Sequence, residues 1–300
     1  MSILRAPLNE PEAWQDPAPK QLLSFDVEEF CSNFNRRPFL VRHRLAGHPL
    51  FNLAQLILLS RRLPPKSVKY NDGNLSVAEN LEAMPSNGLS VEETIRRIEQ
   101  KCSWMVLKNV QDDPQYQKLL NECLDEVKRY SEPIDPGMCD GRAFIFISSA
   151  GSVTPFHIDP EINFLLQVRG SKAMSVFDPA DREIVPEGDL EQFSLAEDLG
   201  VVKYKEEFQS RAFVANLTPG VGVHCPVTAP HWVRVGPEVS ISFSITFRSP
   251  STRRKRSIYW VNAHLRRMGM SPAPVGASPW KDAVKHSVFR TLASAKKVVG

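Results

Sequence analysis

Three residues carry the chemistry that this 300-residue chain most directly suggests. His157 and Asp159, in FHIDP, stand two apart. On a β-strand, positions i and i+2 point to the same side, so an imidazole and a carboxylate would converge on one point. Seventy-two residues after Asp159 comes His231, in APHWV. Two neutral imidazoles and one carboxylate form a donor set for Fe(II) that leaves positions open for a chelating oxo-acid and O2. His-x-Asp alone recurs often by chance, and His224, in GVGVHCP, competes with His231 for the second imidazole position. His43, His48, His264 and His286 have no carboxylate at strand or helix spacing and read as structural or surface residues.

The elements that must position these residues change character along the chain. Residues 1–24 are rich in proline and polar residues and read as a flexible N-terminal arm. Phe51 to Arg62 reads as a helix stopped by Pro64 and Pro65. Ser90 with Glu93 makes a capping box for a second helix, to about Lys101. Asp113-Pro114 opens a third, with Tyr116, Leu120, Cys123, Val127 and Tyr130 along one face. After Gly141 strands take over, at 143–149, 162–168, 173–179 and 239–247. The last alternates Val239, Ile241, Phe243, Ile245 and Phe247 with Ser240, Ser242, Ser244 and Thr246. Arg169-Gly170 sits between two strands like a hairpin turn. Helices first and many short strands afterwards predict an α+β, mainly β protein built on an antiparallel barrel or jelly roll. Residues 251–300 turn helical again, with Trp280, Val284, Val288 and Leu292 at every fourth position. RRKR at 253–256 reads as a solvated connection from strand to helix.

Hydrophobic residues make up 42 % of the chain and charged residues 24 %, which is ordinary for a globular protein with a sizeable core. No apolar run approaches the roughly 20 residues of a membrane-spanning helix, and the first residues lack the apolar stretch of a secretory signal. Five scattered cysteines without a Cys-x-x-Cys pair speak against a disulfide framework and a thiolate zinc site. These features together place the chain in the cytoplasm. The net charge of +3 conceals a split. Residues 251–300 hold eleven Lys and Arg against one acid, Asp282, so they carry +10 and the rest of the chain carries −7. Such a tail reads as packing on the chain's own acidic body or on a second copy, and the overall charge is too mild to argue for nucleic acid.

The surroundings of the His-x-Asp motif carry a resemblance. GSVTPFHIDPEINFLLQVRGSKAMSVFDP (151–179) contains Thr154-Pro155, Asn163-Phe164, Gln167, Gly170 and Lys172, and is followed by Pro219-Gly220, Pro226, His231 and Thr246. This set resembles the JmjC/cupin-like Fe(II)- and 2-oxoglutarate-dependent dioxygenases. Within them it is similar to the asparaginyl hydroxylase of hypoxia-inducible factor and to bacterial cupin-like domain proteins. The likeness covers residues 140–248 well and 25–140 loosely. It implies a double-stranded β-helix, the jelly-roll or cupin barrel, with flanking N-terminal helices. The catalytic domain would span 25–250, and 251–300 would form a basic helical extension.

The same resemblance implies His157, Asp159 and His231 as metal ligands, the spacing from Pro219 and to Thr246 favouring His231 over His224. Lys172 becomes the cation for the distal carboxylate of 2-oxoglutarate, with Thr154 giving a hydroxyl to the same group. Asn163 and Thr246 become polar barrel positions near the cosubstrate. Thr246 stands where the asparaginyl hydroxylase has asparagine, and Val221 where the relatives usually have aspartate. The C-terminal helices would build a homodimer, as they do in that hydroxylase. Trp232 would wall the substrate pocket, and Cys225 reads as a small buried hydrophobe.

The expected protein is therefore an oxygenase using Fe(II), 2-oxoglutarate and O2. It would hydroxylate a C–H bond of a protein or peptide side chain, or of a small metabolite, with succinate and CO2 as coproducts. A chromatin demethylase is disfavoured, because no reader module such as a zinc finger is present. Two rival classes are a non-catalytic cupin-like metal-binding or regulatory module, and a metal-dependent cupin enzyme that does not use 2-oxoglutarate. Lys172 is the residue that separates the second rival from the oxygenase.

Overall fold

The computed structural model describes residues 21–79 and 85–299. In chain order the elements are β1 (Leu23–Ser24), α1 (Val27–Asn33), β2 (Phe39–His43), α2 (Leu53–Arg62), β3 (Val68–Asp72), α3 (Val91–Arg96) and β4 (Ser103–Lys108). Next come α4 (Pro114–Ser131), β5 (Cys139–Ser148), β6 (Val153–His157), β7 (Ile162–Arg169), β8 (Lys172–Val176) and α5 (Glu187–Ala196). The chain continues through β9 (Phe213–Leu217), β10 (Val221–Cys225), β11 (His231–Val235), β12 (Ser240–Arg248), α6 (Pro250–Arg267) and α7 (Pro279–Val299).

Two antiparallel sheets result, an eight-stranded one in the order β1-β2-β10-β7-β12-β5-β4-β3 and a four-stranded one in the order β6-β11-β8-β9. Their inner faces meet where Leu165 and Val223 of the large sheet pack with Met174, Val176, Leu217 and Val233 of the small one. This is the predicted jelly roll with helices around it. Among the described residues no helix is long and apolar enough to cross a membrane.

The alternation in β12 is used on both faces. Val239, Ile241, Phe243, Ile245 and Phe247 join the main core with Leu56 and Leu59 of α2 and with Tyr116, Leu120 and Val127 of α4. Burying these five side chains contributes on the order of 10 kcal/mol, against the chain entropy that opposes folding. The serines face the barrel interior, where Ser242 donates to Gln167 Oε1 at 2.5 Å and Ser244 donates to Asn163 Oδ1 at 2.8 Å.

Helix starts follow their caps. Ser90 and Glu93 form the expected capping box, but the helix ends at Arg96 and the chain turns before Lys101. Asp113 accepts from the Gln115 N–H and opens α4. The helix expected from Phe51 begins at Leu53 instead, because Pro49–Phe51 form a 3-10 turn and the Asn52 side chain caps α2 by accepting the Gln55 N–H.

Three other expectations change. Of the arm read over 1–24, residues 1–20 lie outside the described residues, while Leu23 and Ser24 pair with His43 and Arg42. The Glu126 carboxylate of α4 fixes that strand by accepting the N–H groups of Leu22 at 2.9 Å and Leu23 at 2.7 Å. Arg169-Gly170 is not a hairpin turn between paired strands, since β7 pairs with β10 and β12 while β8 pairs with β11 and β9. It carries the chain from one sheet to the other. Gly170 has φ +66°, and a Cβ there would lie 2.2 Å from the Val239 carbonyl oxygen, so glycine is required. RRKR is not a loose connection but the first turns of α6, which Ser249 and Thr252 open with a reciprocal capping box.

Candidate metal centre

β6 and β11 lie side by side, and His157 and His231 are direct partners across them. Asp159 stands two residues past the end of β6, and its carbonyl oxygen accepts the Thr228 N–H at 3.0 Å. His157 Nε2 lies 4.0 Å from Asp159 Oδ1, and His231 Nε2 lies 3.6 Å from Asp159 Oδ2. One ligand atom from each residue falls within 4.8 Å of the other two.

The tautomers are set by the backbone. His157 Nδ1 donates to the Pro155 carbonyl at 2.7 Å, and His231 Nδ1 donates to the Ala229 carbonyl at 2.9 Å. With Nδ1 carrying the proton, each Nε2 presents a lone pair toward Asp159. Burial pushes both imidazoles down to about 4, His231 adding to the effect at His157, so both rings are neutral at pH 7. Neutral imidazoles and an ionised carboxylate are the protonation states that a divalent metal needs. The donor set therefore fits such an ion.

The three residues line a cavity of about 270 Å3 between the sheets, together with Thr154, Asn163, Lys172 and Thr246. The residues expected as metal ligands and cosubstrate contacts are thus gathered in one place. Lys172, at the start of β8, is buried, and burial alone pushes its ammonium down to about 7. No carboxylate pairs with it among the described residues. Holding an uncompensated cation in such a site is costly, and an anion placed beside it would offset that cost. Thr154 Oγ1 accepts the Trp104 indole N–H at 3.0 Å, leaving its own hydroxyl proton to give away. Asn163 keeps its amide NH2 as a donor, while Thr246 donates to the Arg142 carbonyl at a long 3.4 Å.

Thr154 and His157 are an odd number of residues apart, so a regular strand would send them to opposite faces. They share the cavity because the β6–β11 register shifts between His231 and Val233, where two steps on β11 oppose three on β6. Pro155, which has no N–H for the ladder, sits in the bulge.

His224 lies elsewhere. It is fully buried in β10 between the rings of Phe34, Phe39 and Phe164. Its Nε2 accepts the Asn35 N–H at 2.9 Å and its Nδ1 donates to the Asn163 carbonyl at 3.2 Å, so both nitrogens are used in the core. Burial pushes this imidazole down to about 3. Trp232 also misses the cavity. Next to His231 on a strand, it points to the opposite face and donates to Gln209 Oε1 at 2.9 Å. Cys225 is buried as expected, with Sγ 3.7 Å from His231 Nδ1 and its thiol pushed far up by burial.

Sequence reasoning missed Trp104, Arg142 and Glu161. The lining of the cavity includes the buried Glu161, paired with Arg248 at 2.9 Å and facing Arg142 at 3.9 Å. Glu161 stands two residues beyond Asp159, a spacing that could have drawn attention to it.

No protein family and no curated protein matches the chain by sequence. Among solved structures it is similar to YcfD from Escherichia coli, with a TM-score of 0.51 and 15 % identity over 91 % of this chain and 68 % of that one. The chain shares the YcfD fold. A second YcfD structure, of a ribosomal oxygenase in complex with cobalt and 2-oxoglutarate, matches at a TM-score of 0.48 and 16 % identity, over 91 % of this chain and 67 % of that one.

Proposed function

We propose that the protein is an Fe(II)- and 2-oxoglutarate-dependent dioxygenase that hydroxylates a C–H bond of a polypeptide side chain, with succinate and CO2 as coproducts. One observation carries this reading. A single cavity holds three metal donors, His157, Asp159 and His231, and an unpaired buried ammonium, Lys172. A metal-chelating dicarboxylate satisfies both ends of that arrangement. The fold shared with YcfD agrees with it.

Bound Fe(II) would supply activation of O2 coupled to oxidative decarboxylation of the 2-oxo acid. The chain's own residues do the rest. His157, Asp159 and His231 hold the ion, and the Pro155 and Ala229 carbonyls keep both imidazoles turned toward it. Lys172 neutralises the distal carboxylate, and Thr154 donates its hydroxyl proton to the same group. Leu165, Met174 and Val233 line the cavity and exclude water, which strengthens each of these interactions.

In the same proposal residues 25–250 are the catalytic unit, in the cytoplasm, and 251–300 a helical extension that meets a second copy. Trp280, Val284, Val288 and Leu292 lie exposed along α7, which supports an oligomer contact. The deciding experiment is an anaerobic titration of metal-free protein with Fe(II) and 2-oxoglutarate, monitored by the visible charge-transfer band of the chelate. The band is expected in the wild type and lost in His231→Ala. Failure of the wild type to give it overturns the oxygenase reading and leaves a binding module or a different metal enzyme.

A further inference from the structure

A second cavity, of about 430 Å3, opens beside the metal centre among α5, α6 and α7. Pro160, the residue after Asp159, lines both cavities. Thr228, whose N–H holds the Asp159 carbonyl, lines the second one at φ +59°, a backbone that a β-branched residue rarely adopts. Whatever fills this groove therefore rests against the backbone that carries the metal carboxylate.

Its lining holds four cations, Arg248, Arg253, Lys255 and Arg256, and no carboxylate. The arginines are braced from behind, Arg248 by Glu161, Arg253 by Asp140 and Arg256 by Glu197. A guanidinium has five N–H donors in a planar fork, so each brace leaves donors free for a ligand. Lys255 keeps an exposed side chain, faced by the charges of Arg182 and Glu187 without a carboxylate in ion-pair contact among the described residues. The floor is apolar, made by Leu190, Phe193, Trp260 and Phe289.

We propose that this groove binds an acidic, amphipathic peptide segment that flanks the hydroxylated residue of the substrate. Its role as a substrate subsite rests on the oxygenase reading. A peptide alternating acidic and apolar residues meets the cationic wall and the apolar floor together. A nucleic acid is the poorer match, because it has no aliphatic side chains to cover the apolar floor of Leu190, Phe193, Trp260 and Phe289.

The test uses a fluorescein-labelled dodecapeptide in which Glu alternates with Leu and Phe, titrated with the full chain in EDTA. The controls are the same peptide with Lys for Glu and a labelled uridine dodecanucleotide. The acidic peptide is expected to bind, with affinity falling about tenfold in Lys255→Glu. Trp260→Ala is expected to weaken it as well, and thermal unfolding reports that both variants fold. Equal binding of the lysine peptide, tighter binding of the oligonucleotide, or unchanged affinity in both variants overturns the proposal. Because no metal takes part, a failure here leaves the oxygenase reading standing, and a missing charge-transfer band leaves the groove standing.

Discussion

The imidazoles of His157 and His231 face one another directly across the β6–β11 ladder, with ring centroids 4.1 Å apart. Side chains directly opposite on antiparallel strands are held by the ladder itself. The two imidazoles of the candidate metal centre are thus placed by main-chain register rather than by loops, which is the rigidity that an oriented site requires. Only Asp159 comes from beyond the strand, and Thr228 ties down its backbone.

Replacing Lys172 with methionine should have opposite effects on stability and on ligand affinity. The folded ammonium, pushed down to about 7, releases its proton more readily than in the unfolded chain. Between pH 7 and about 10 the unfolded state binds more protons, so stability rises with pH in that window. Lys172→Met should remove this dependence and stabilise the metal-free protein by about 2 kcal/mol in urea unfolding. The same change should weaken 2-oxoglutarate binding by about a hundredfold, measured by the charge-transfer titration. Unchanged affinity for the oxo-acid would exclude Lys172 as its anchor.

Trp104→Phe should act through Thr154. Losing the indole donor leaves the Thr154 hydroxyl free to rotate, and its proton is no longer committed to the cavity. The KM for 2-oxoglutarate should rise about fivefold with little change in kcat, the cost of one neutral hydrogen bond. A fall in kcat alone would place Trp104 in the chemistry instead.

The protein should lose stability in mild acid through histidines outside the metal site. Burial holds His43 down to about 4 and His224 down to about 3, below the ordinary value of 6.5. As pH falls from 6.5 toward 4, the unfolded chain takes up protons that the folded chain refuses. Each buried histidine then lowers unfolding free energy by about 1.4 kcal/mol per pH unit, while above pH 7 neither contributes. Protonating His224 would also remove the lone pair that accepts the Asn35 N–H. Urea unfolding between pH 4.5 and 8 checks the slope; a flat profile below pH 6.5 refutes it.

Charge on the α7 stripe should separate any dimer. Val288 is 44 % exposed between Val284 and Leu292, so Val288→Glu disturbs no core. Its mass in solution should fall to that of one chain if the wild type is paired. A wild type that is already monomeric at high concentration removes the second copy from the proposal.

Much of this arrangement was legible along the chain because it is periodic or local. The two-residue alternation of β12 gave its faces, and the caps at Ser90 and Asp113 gave helix starts. His157 and Asp159 were readable as a pair from their spacing. The strand rule behind that reading does not place the carboxylate, because β6 ends at His157 and Asp159 stands beyond it. The long-range relationships escaped. Nothing near Gly170 says that β7 and β8 belong to different sheets, because their partners lie dozens of residues away. The Trp104–Thr154 hydrogen bond spans 50 positions. The bulge at Pro155 breaks the alternation rule itself, and so places Thr154 where simple counting would not. Ser249 and Thr252, by contrast, are a capping signal that could have been read.

The two faces of β12 have separate duties, and this separation makes the interior adjustable. Its apolar side locks into the helical layer, while its inward rungs are small hydroxyl residues. Those rungs behave like the teeth of a gauge. A larger side chain at Ser244, which lines the cavity and donates to Asn163, would narrow the room beside the candidate metal donors at the cost of that hydrogen bond. The size of the cavity is therefore set in part by two small residues of one strand, Ser244 and Thr246, while the other face of that strand stays locked in the core.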